Sequence, residues 1–102
     1  MASSYGTEYD PIPYFNSVAL NWCAAEGSES KGTQGIVDAR VEWFASEKGV
    51  RHVKENKDKF LAYIENIDPE MISKLIFKSL RKACPQKTQN FIDNAKQNPS
   101  NA

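Results

Sequence analysis

The sequence is poor in the residues that build metal and cofactor sites. It has one histidine and two cysteines among 102 residues, and metal sites need several such ligands at close spacing. We therefore expect no metal and no cofactor. The single histidine, His52, is predicted to be a solvated side chain rather than a ligand.

The chain also lacks the pattern of a catalytic nucleophile. A serine or cysteine nucleophile requires a base and an orienting group, and neither Cys23 nor Cys84 has a histidine near it in sequence. Both cysteines lie at or near apolar stripes, which is typical of small buried side chains. We expect no catalytic residue and no enzyme, and a cysteine-dependent enzyme is the weakest of three hypotheses.

No apolar run reaches the ~20 residues that a membrane-spanning helix needs. The N-terminus lacks the basic start and apolar stretch of a secretory signal. The sequence thus predicts a cytoplasmic protein without membrane contact, and its two cysteines are expected to be reduced thiols.

Glycines are few, and two of them have the spacing that opens a phosphate-binding loop. Gly27 and Gly32 are followed by Thr33 and Gln34, where the motif needs a lysine and then a serine or threonine. No predicted strand precedes this segment. We interpret the stretch from Gly27 to Gly35 as a flexible connection.

What the sequence does have is apolar side chains at helical spacing, with 40% apolar and 25% charged residues. Residues three and four positions apart share one helix face, and no long alternation calls for strands. The pattern predicts an all-α fold, a compact bundle of four to five short helices in a single domain. The predicted division is an N-terminal arm over 1–9, a helical domain over 10–97 and a disordered tail over 98–102.

The predicted helices follow from start and stop signals as well as from periodicity. Asp10 and Pro11 begin the first helix, and Asp68 with Pro69 begins the fourth, which ends at Cys84. The segment 50–67 is either one helix or breaks near Asn56. The other predicted helices run from about Ile36 to Lys48, where Gly49 ends the segment, and around Phe91 near the C-terminus.

The second helix has an unusually wide apolar face. Its predicted buried stripe consists of Val37, Val41, Phe44 and Ala45, with Ile36 and Trp43 beside it. A helix that is apolar over a wide arc is usually central in its fold or contacts a partner. Trp43 is therefore a candidate partner-binding residue.

Charge is balanced overall but divided along the chain. Residues 1–50 hold seven acids and three bases, whereas residues 51–102 hold six acids and ten bases, which gives formal charges of −4 and +4. At 100° per residue, four bases of the fourth helix fall within one arc, and a fifth follows the proline. These candidates for binding nucleic acid or an acidic protein are Lys74, Lys78, Arg81, Lys82 and Lys87.

Phe77 lies beside these bases, which suits either a docking surface or a contact with the last helix.

Our first hypothesis is a non-catalytic interaction module, an accessory subunit, adaptor or inhibitor that acts by surface contact with another protein. The second is a nucleic-acid-binding protein that uses the basic face, although zero net charge argues against strong unaided binding. Homo-oligomer formation stays open.

Overall fold

Five α-helices make up the part of the chain that the computed structural model describes, residues 9–97. They are α1 Ile12–Ala24, α2 Thr33–Ala45, α3 Glu47–Asn66, α4 Pro69–Ala83 and α5 Pro85–Gln97, with a 3-10 turn at Ser28–Ser30 between α1 and α2. The predicted all-α single domain is confirmed. The predicted tail and residues 1–8 of the predicted arm lie outside the described residues.

Helix α1 lies at the centre of the bundle and packs against both α2 and α4. Its predicted apolar stripe is buried at Phe15, Val18, Ala19 and Trp22. Where α1 begins, the Asp10 carboxylate accepts a hydrogen bond from the backbone N–H of Ile12 at 3.1 Å. Residues at helical spacing thus place one continuous apolar face where two neighbouring helices can cover it.

The start and stop signals of α4 act as predicted. The Asp68 carboxylate accepts from the N–H of Glu70 at 3.0 Å, which satisfies one of the free donors of the first turn. The helix ends at Ala83, before Cys84 and Pro85, because the residue before a proline is biased away from helical geometry.

Helices α1 and α4 run parallel, and a disulfide joins their carboxyl ends. Before the disulfide along both helices, the Ser79 hydroxyl donates to the Asn16 side-chain oxygen at 3.2 Å. Cys23 and Cys84 are bonded to each other, with their Cα atoms 6.0 Å apart. The prediction of two reduced thiols is therefore wrong. Parallel packing brings together two cysteines that are 61 positions apart in sequence.

The connection from α2 to α3 also differs from the prediction. Gly49 does not end the second helix; it lies inside α3, and Ser46 is the N-cap, whose hydroxyl accepts from the N–H of Gly49 at 3.0 Å. A Cβ atom at Gly49 would collide with the backbone carbonyl of Trp43. This glycine allows two helices to approach closely.

Helix α3 is continuous from Glu47 to Asn66 but is bent at Asn56, whose backbone is non-helical (φ −118°, ψ 19°). The Asn56 amide donates to the carbonyl oxygen of His52 at 3.0 Å. A side chain that competes for a backbone group in this way commonly disturbs a helix. The segment is therefore one helix with a bend at Asn56, so both alternatives, a single helix and a break near Asn56, hold in part.

Residue Tyr9, assigned to the arm from sequence, is buried in the core against α3. Its ring packs at 5.7 Å from Phe60 and 5.3 Å from Tyr63, measured between ring centroids.

Among residues 9–97, no helix is long and apolar enough to cross a membrane.

Candidate interaction surface

Four of the five predicted basic residues lie exposed on α4, on the side turned away from the core. Lys74, Lys78, Arg81 and Lys82 are all solvent-exposed, and we call this set the basic face. Within residues 9–97 the structure records no ion pair for any of them. Their charges are therefore available to an external anion or acidic surface.

The fifth predicted base, Lys87, does not belong to the basic face. Its ammonium donates to the carbonyl oxygens of Cys23 at 3.1 Å and Ala25 at 2.6 Å. It also lies 3.7 Å from a Glu29 carboxylate oxygen and 5.4 Å from the centroid of the Trp22 ring. A lysine that binds the last carbonyls of a helix stabilises that helix end, so the Lys87 ammonium is engaged inside the fold and not displayed with the other four bases.

Trp43 is also misassigned from sequence, because it is only 3% exposed. Its ring packs at 4.8 Å from Tyr14 and 5.3 Å from His52, measured between centroids. A side chain enclosed in this way cannot act as the exposed anchor of a docking surface. Its role is to fill the core between α1, α2 and α3.

The face of α2 that meets the core is the opposite of the predicted one. Gly35, Ala39 and Trp43 are buried. The predicted core residues are largely exposed instead: Val37 is 44%, Val41 60% and Phe44 39% exposed. Glycine and alanine allow α2 to lie close to its neighbours, and that close approach decides which side turns inward.

These three exposed residues form one stripe along the outside of α2. At 100° per residue, Val37, Val41 and Phe44 fall within an arc of about 60°, roughly opposite the buried side. We call this set the outer stripe. Two exposed acids, Asp38 and Glu42, border it on the side away from α4.

An apolar groove of about 410 Å³ joins the outer stripe to α4 and α5. Its walls include Ile36 and Val37 from α2, Ile72 and Phe77 from α4, and Phe91 from α5. Arg40, at the α2 side, donates to the Tyr14 hydroxyl at 2.9 Å. Since Val37 belongs to both features, the groove and the outer stripe form one continuous apolar surface.

Phe77 is the predicted site residue that the groove does contain. It is half-buried, and its ring lies 5.6 Å from that of Phe91 between centroids. The contact with the last helix, one of the two alternatives for this residue, is confirmed. On the helical wheel of α4, Phe77 is the groove residue nearest to the basic face. The apolar surface therefore has bases along its α4 edge and the acids Asp38 and Glu42 along its opposite edge.

His52 is half-buried rather than solvated, which corrects the sequence prediction. Its Nε2 atom lies 2.7 Å from the Tyr9 hydroxyl. Burial lowers the pKa of His52, against an opposing effect of the Glu55 carboxylate. Burial also raises the pKa of the Tyr9 phenol far above its usual value, with smaller contributions from Tyr14, Tyr63 and Asp10. Both partners are therefore neutral near pH 7, and the tautomer of the imidazole decides which of them donates.

The outer stripe is the surface feature that helical spacing places on the wrong side of the helix. The signal is present, because apolar residues occupy two opposite sides of α2. Helical spacing alone does not say which of two apolar sides is buried.

Among residues 9–97, no cluster of three or more histidine, cysteine or acidic side chains could hold a metal ion.

Comparison with known proteins gives no relative from which a function could be inferred: no family model, no curated protein and no solved structure matches this chain.

Proposed function

We propose that this chain is a non-catalytic interaction module that binds another protein through the outer stripe and the adjoining groove. The observation that carries the proposal is the exposure of Val37, Val41 and Phe44 on one side of α2 while the other side is buried. A helix that is apolar on both sides is normally covered on both sides. Contiguous exposed apolar surface marks a site of interaction.

The partner expected at this surface is an amphipathic helix. An apolar groove between helices accepts such a helix through side chains spaced three, four and seven positions apart. Phe77 and Phe91 offer aromatic walls in the groove, and aromatic side chains contribute strongly to interfaces.

The charges around the surface specify the edges of that helix. Asp38 and Glu42 border the outer stripe, whereas Lys74 and Arg81 lie beyond Phe77 on α4. A partner helix therefore matches best when one edge of its apolar face is basic and the other is acidic. Complementary charges of this kind select partners and speed association more than they add affinity.

Three synthetic helical peptides with the same leucine face test this proposal. One has a basic and an acidic edge, one has two basic edges, and one has two acidic edges. We expect the mixed-edge peptide to bind about three to ten times more tightly than the others at low salt, the effect of one or two exposed ion pairs. In an NMR titration, we expect the mixed-edge peptide to change the chemical shifts of Val37, Val41 and Phe77.

Matched variants locate the binding. Val41→Ser should weaken the mixed-edge peptide about fivefold, because it removes exposed apolar area from the interface. Leu61→Ser is the control, since Leu61 is 46% exposed on α3 and lies in neither the outer stripe nor the groove. Equal binding of all three peptides, or equal losses in both variants, would contradict the proposal. A stable dimer that Val41→Ser dissociates would assign the surface to a second copy instead.

Nucleic acid is the second candidate partner, and it is favoured by the exposed basic face, for which the described part of the chain supplies no ion pair. The test is titration of labelled single- and double-stranded DNA and RNA at low and physiological salt. Lys78→Glu with Arg81→Glu should abolish binding at physiological salt and lower the salt slope of any binding left at low salt by about two. Lys96→Glu on α5 should change neither quantity much. Absence of binding at low salt eliminates this candidate.

We infer from the disulfide that the chain works in an oxidising compartment rather than in the cytoplasm expected from sequence. Structural disulfides persist in secreted and extracytoplasmic proteins and are rare where thiols are kept reduced. Acid quenching of the source cells, followed by alkylation and mass spectrometry, should find Cys23 and Cys84 protected. Alkylation of both thiols would contradict this location.

A further inference from the structure

A second cleft, also about 410 Å³, lies between α1 and α3, away from the outer stripe and groove. One face of α3 supplies polar side chains at positions 48, 51, 52 and 55, and a face of α1 supplies positions 13, 16, 17 and 20. Both sets have helical spacing. Two helix faces therefore oppose each other across an open space large enough for a small molecule.

The polar wall of this cleft is rich in hydrogen-bond donors. Lys48 and Arg51 are exposed, and the structure records no ion pair for either within residues 9–97. Asn16 uses its oxygen to accept from Ser79, which leaves its amide N–H groups as donors. Glu55 is the single acid in the lining, so the cleft has an excess of one positive charge.

The Tyr9–His52 contact adds an imidazole to the cleft wall. The Tyr9 hydroxyl and His52 Nε2 lie 2.7 Å apart, and this contact holds the ring in place. An anionic ligand favours the tautomer in which the phenol donates to Nε2 and the Nδ1–H group donates to the ligand.

The α1 side of the lining adds apolar surface beside Asn16 and Ser17. Leu20 is 61% exposed, and Pro13 is exposed as well. Exposed apolar side chains in a cleft favour a ligand that has apolar surface of its own.

We propose that this cleft binds a small organic anion, a carboxylate attached to an aromatic or short aliphatic body. The carboxylate lies against Lys48, Arg51 and His52, and the apolar body lies against Leu20 and Pro13. Arginine suits this role because its guanidinium matches the two oxygens of a carboxylate.

Phenylacetate, 2-phenylacetamide and acetate are the probes that test the proposal, each titrated into the isotope-labelled protein and followed by NMR. We expect saturable shifts at His52, Arg51 and the Trp43 indole with phenylacetate. The neutral amide lacks the charge and acetate lacks the apolar body, so each should bind at least about fivefold more weakly. Equal binding of phenylacetate and either analogue would overturn the proposal, as would shifts that do not saturate.

Exposed charged positions allow variants that leave the fold intact. Arg51→Gln should weaken phenylacetate about five- to tenfold, and Glu55→Gln should tighten it, because the repelling carboxylate is removed. Arg81→Gln, on the basic face, is the matched control and should leave the affinity unchanged. A loss in the Arg81 variant equal to that in the Arg51 variant would mean that the anion binds by general charge alone, and the cleft would not be its site.

Discussion

Lys87 shows how a single side chain can join three parts of the molecule. Its ammonium binds the last carbonyls of α1, faces Glu29 in the 3-10 turn and lies over the Trp22 ring. From sequence it is one base among several after the fourth helix. Only the packing of α5 against the end of α1 distinguishes it from the exposed bases, and nothing in local spacing reports that packing.

Replacing Lys87 by methionine should lower the free energy of unfolding by about 1.5–3 kcal/mol, the usual contribution of hydrogen bonds to a charged group. Methionine retains most of the apolar stem and removes the donor. Chemical denaturation measures the change. Lys82→Met is the control, since Lys82 is exposed and should shift stability by no more than about 0.5 kcal/mol. Equal effects would show that the Lys87 contacts add nothing.

The pair formed by Tyr9 and His52 should make stability depend on pH. Since burial lowers the folded-state pKa of His52 below its usual 6.5, the unfolded chain binds a proton first as pH falls. Stability is then lost from about pH 6.5 downward until the folded state also becomes protonated. Denaturation between pH 8 and pH 5 should show this loss in the native chain and a smaller one in His52→Gln. Parallel pH profiles of the two proteins would contradict it.

Two helices, α1 and α4, could be predicted closely because several independent signals agree. Each has a proline in its first turn, an acidic side chain at its start and one clear apolar stripe. Helix α2 lacks such agreement, since apolar residues occupy two opposite sides of it. Periodicity alone therefore points to the wrong inward side. Gly49 was interpreted as a helix end, although its lack of a side chain serves the contact with Trp43.

Gly49→Ala tests this interpretation of the α2–α3 contact. Alanine is the better helix former by about 1 kcal/mol, so an open site would gain stability. Because its Cβ would collide with the Trp43 carbonyl, we expect a net loss of about 1–3 kcal/mol, typical of overpacking. Thermal unfolding measures it, and Lys48→Ala at the neighbouring exposed position is the control. A gain in stability would show that the two helices separate readily.

At the scale of the whole molecule, the all-α class and the single domain follow from the sequence, whereas the disulfide does not. Helix periodicity is local information, but the pairing of Cys23 with Cys84 depends on α1 and α4 lying parallel. The same limit applies to the candidate surfaces. The exposed bases of α4 were predicted from one helix, but the groove and the α1–α3 cleft each require the relative placement of separate helices.

The disulfide should contribute about 4 kcal/mol to stability in the chain-entropy description, given its sequence separation of 61 residues. Urea denaturation with and without a reductant measures this contribution. The double variant Cys23→Ser, Cys84→Ser is the control. Its free energy of unfolding should be close to that of the reduced protein and should not change when the reductant is added. Two titratable thiols in the untreated protein would show that the bond does not form.

The same bond has a consequence for proteolysis. Any single backbone cut between Cys23 and Cys84, whether in the turn around Gly27 or at the bend of α3, leaves two fragments that stay covalently attached. A nicked molecule would migrate as one band on a non-reducing gel and as two after reduction. Damage to the chain and separation of its pieces are thus distinct events in this protein.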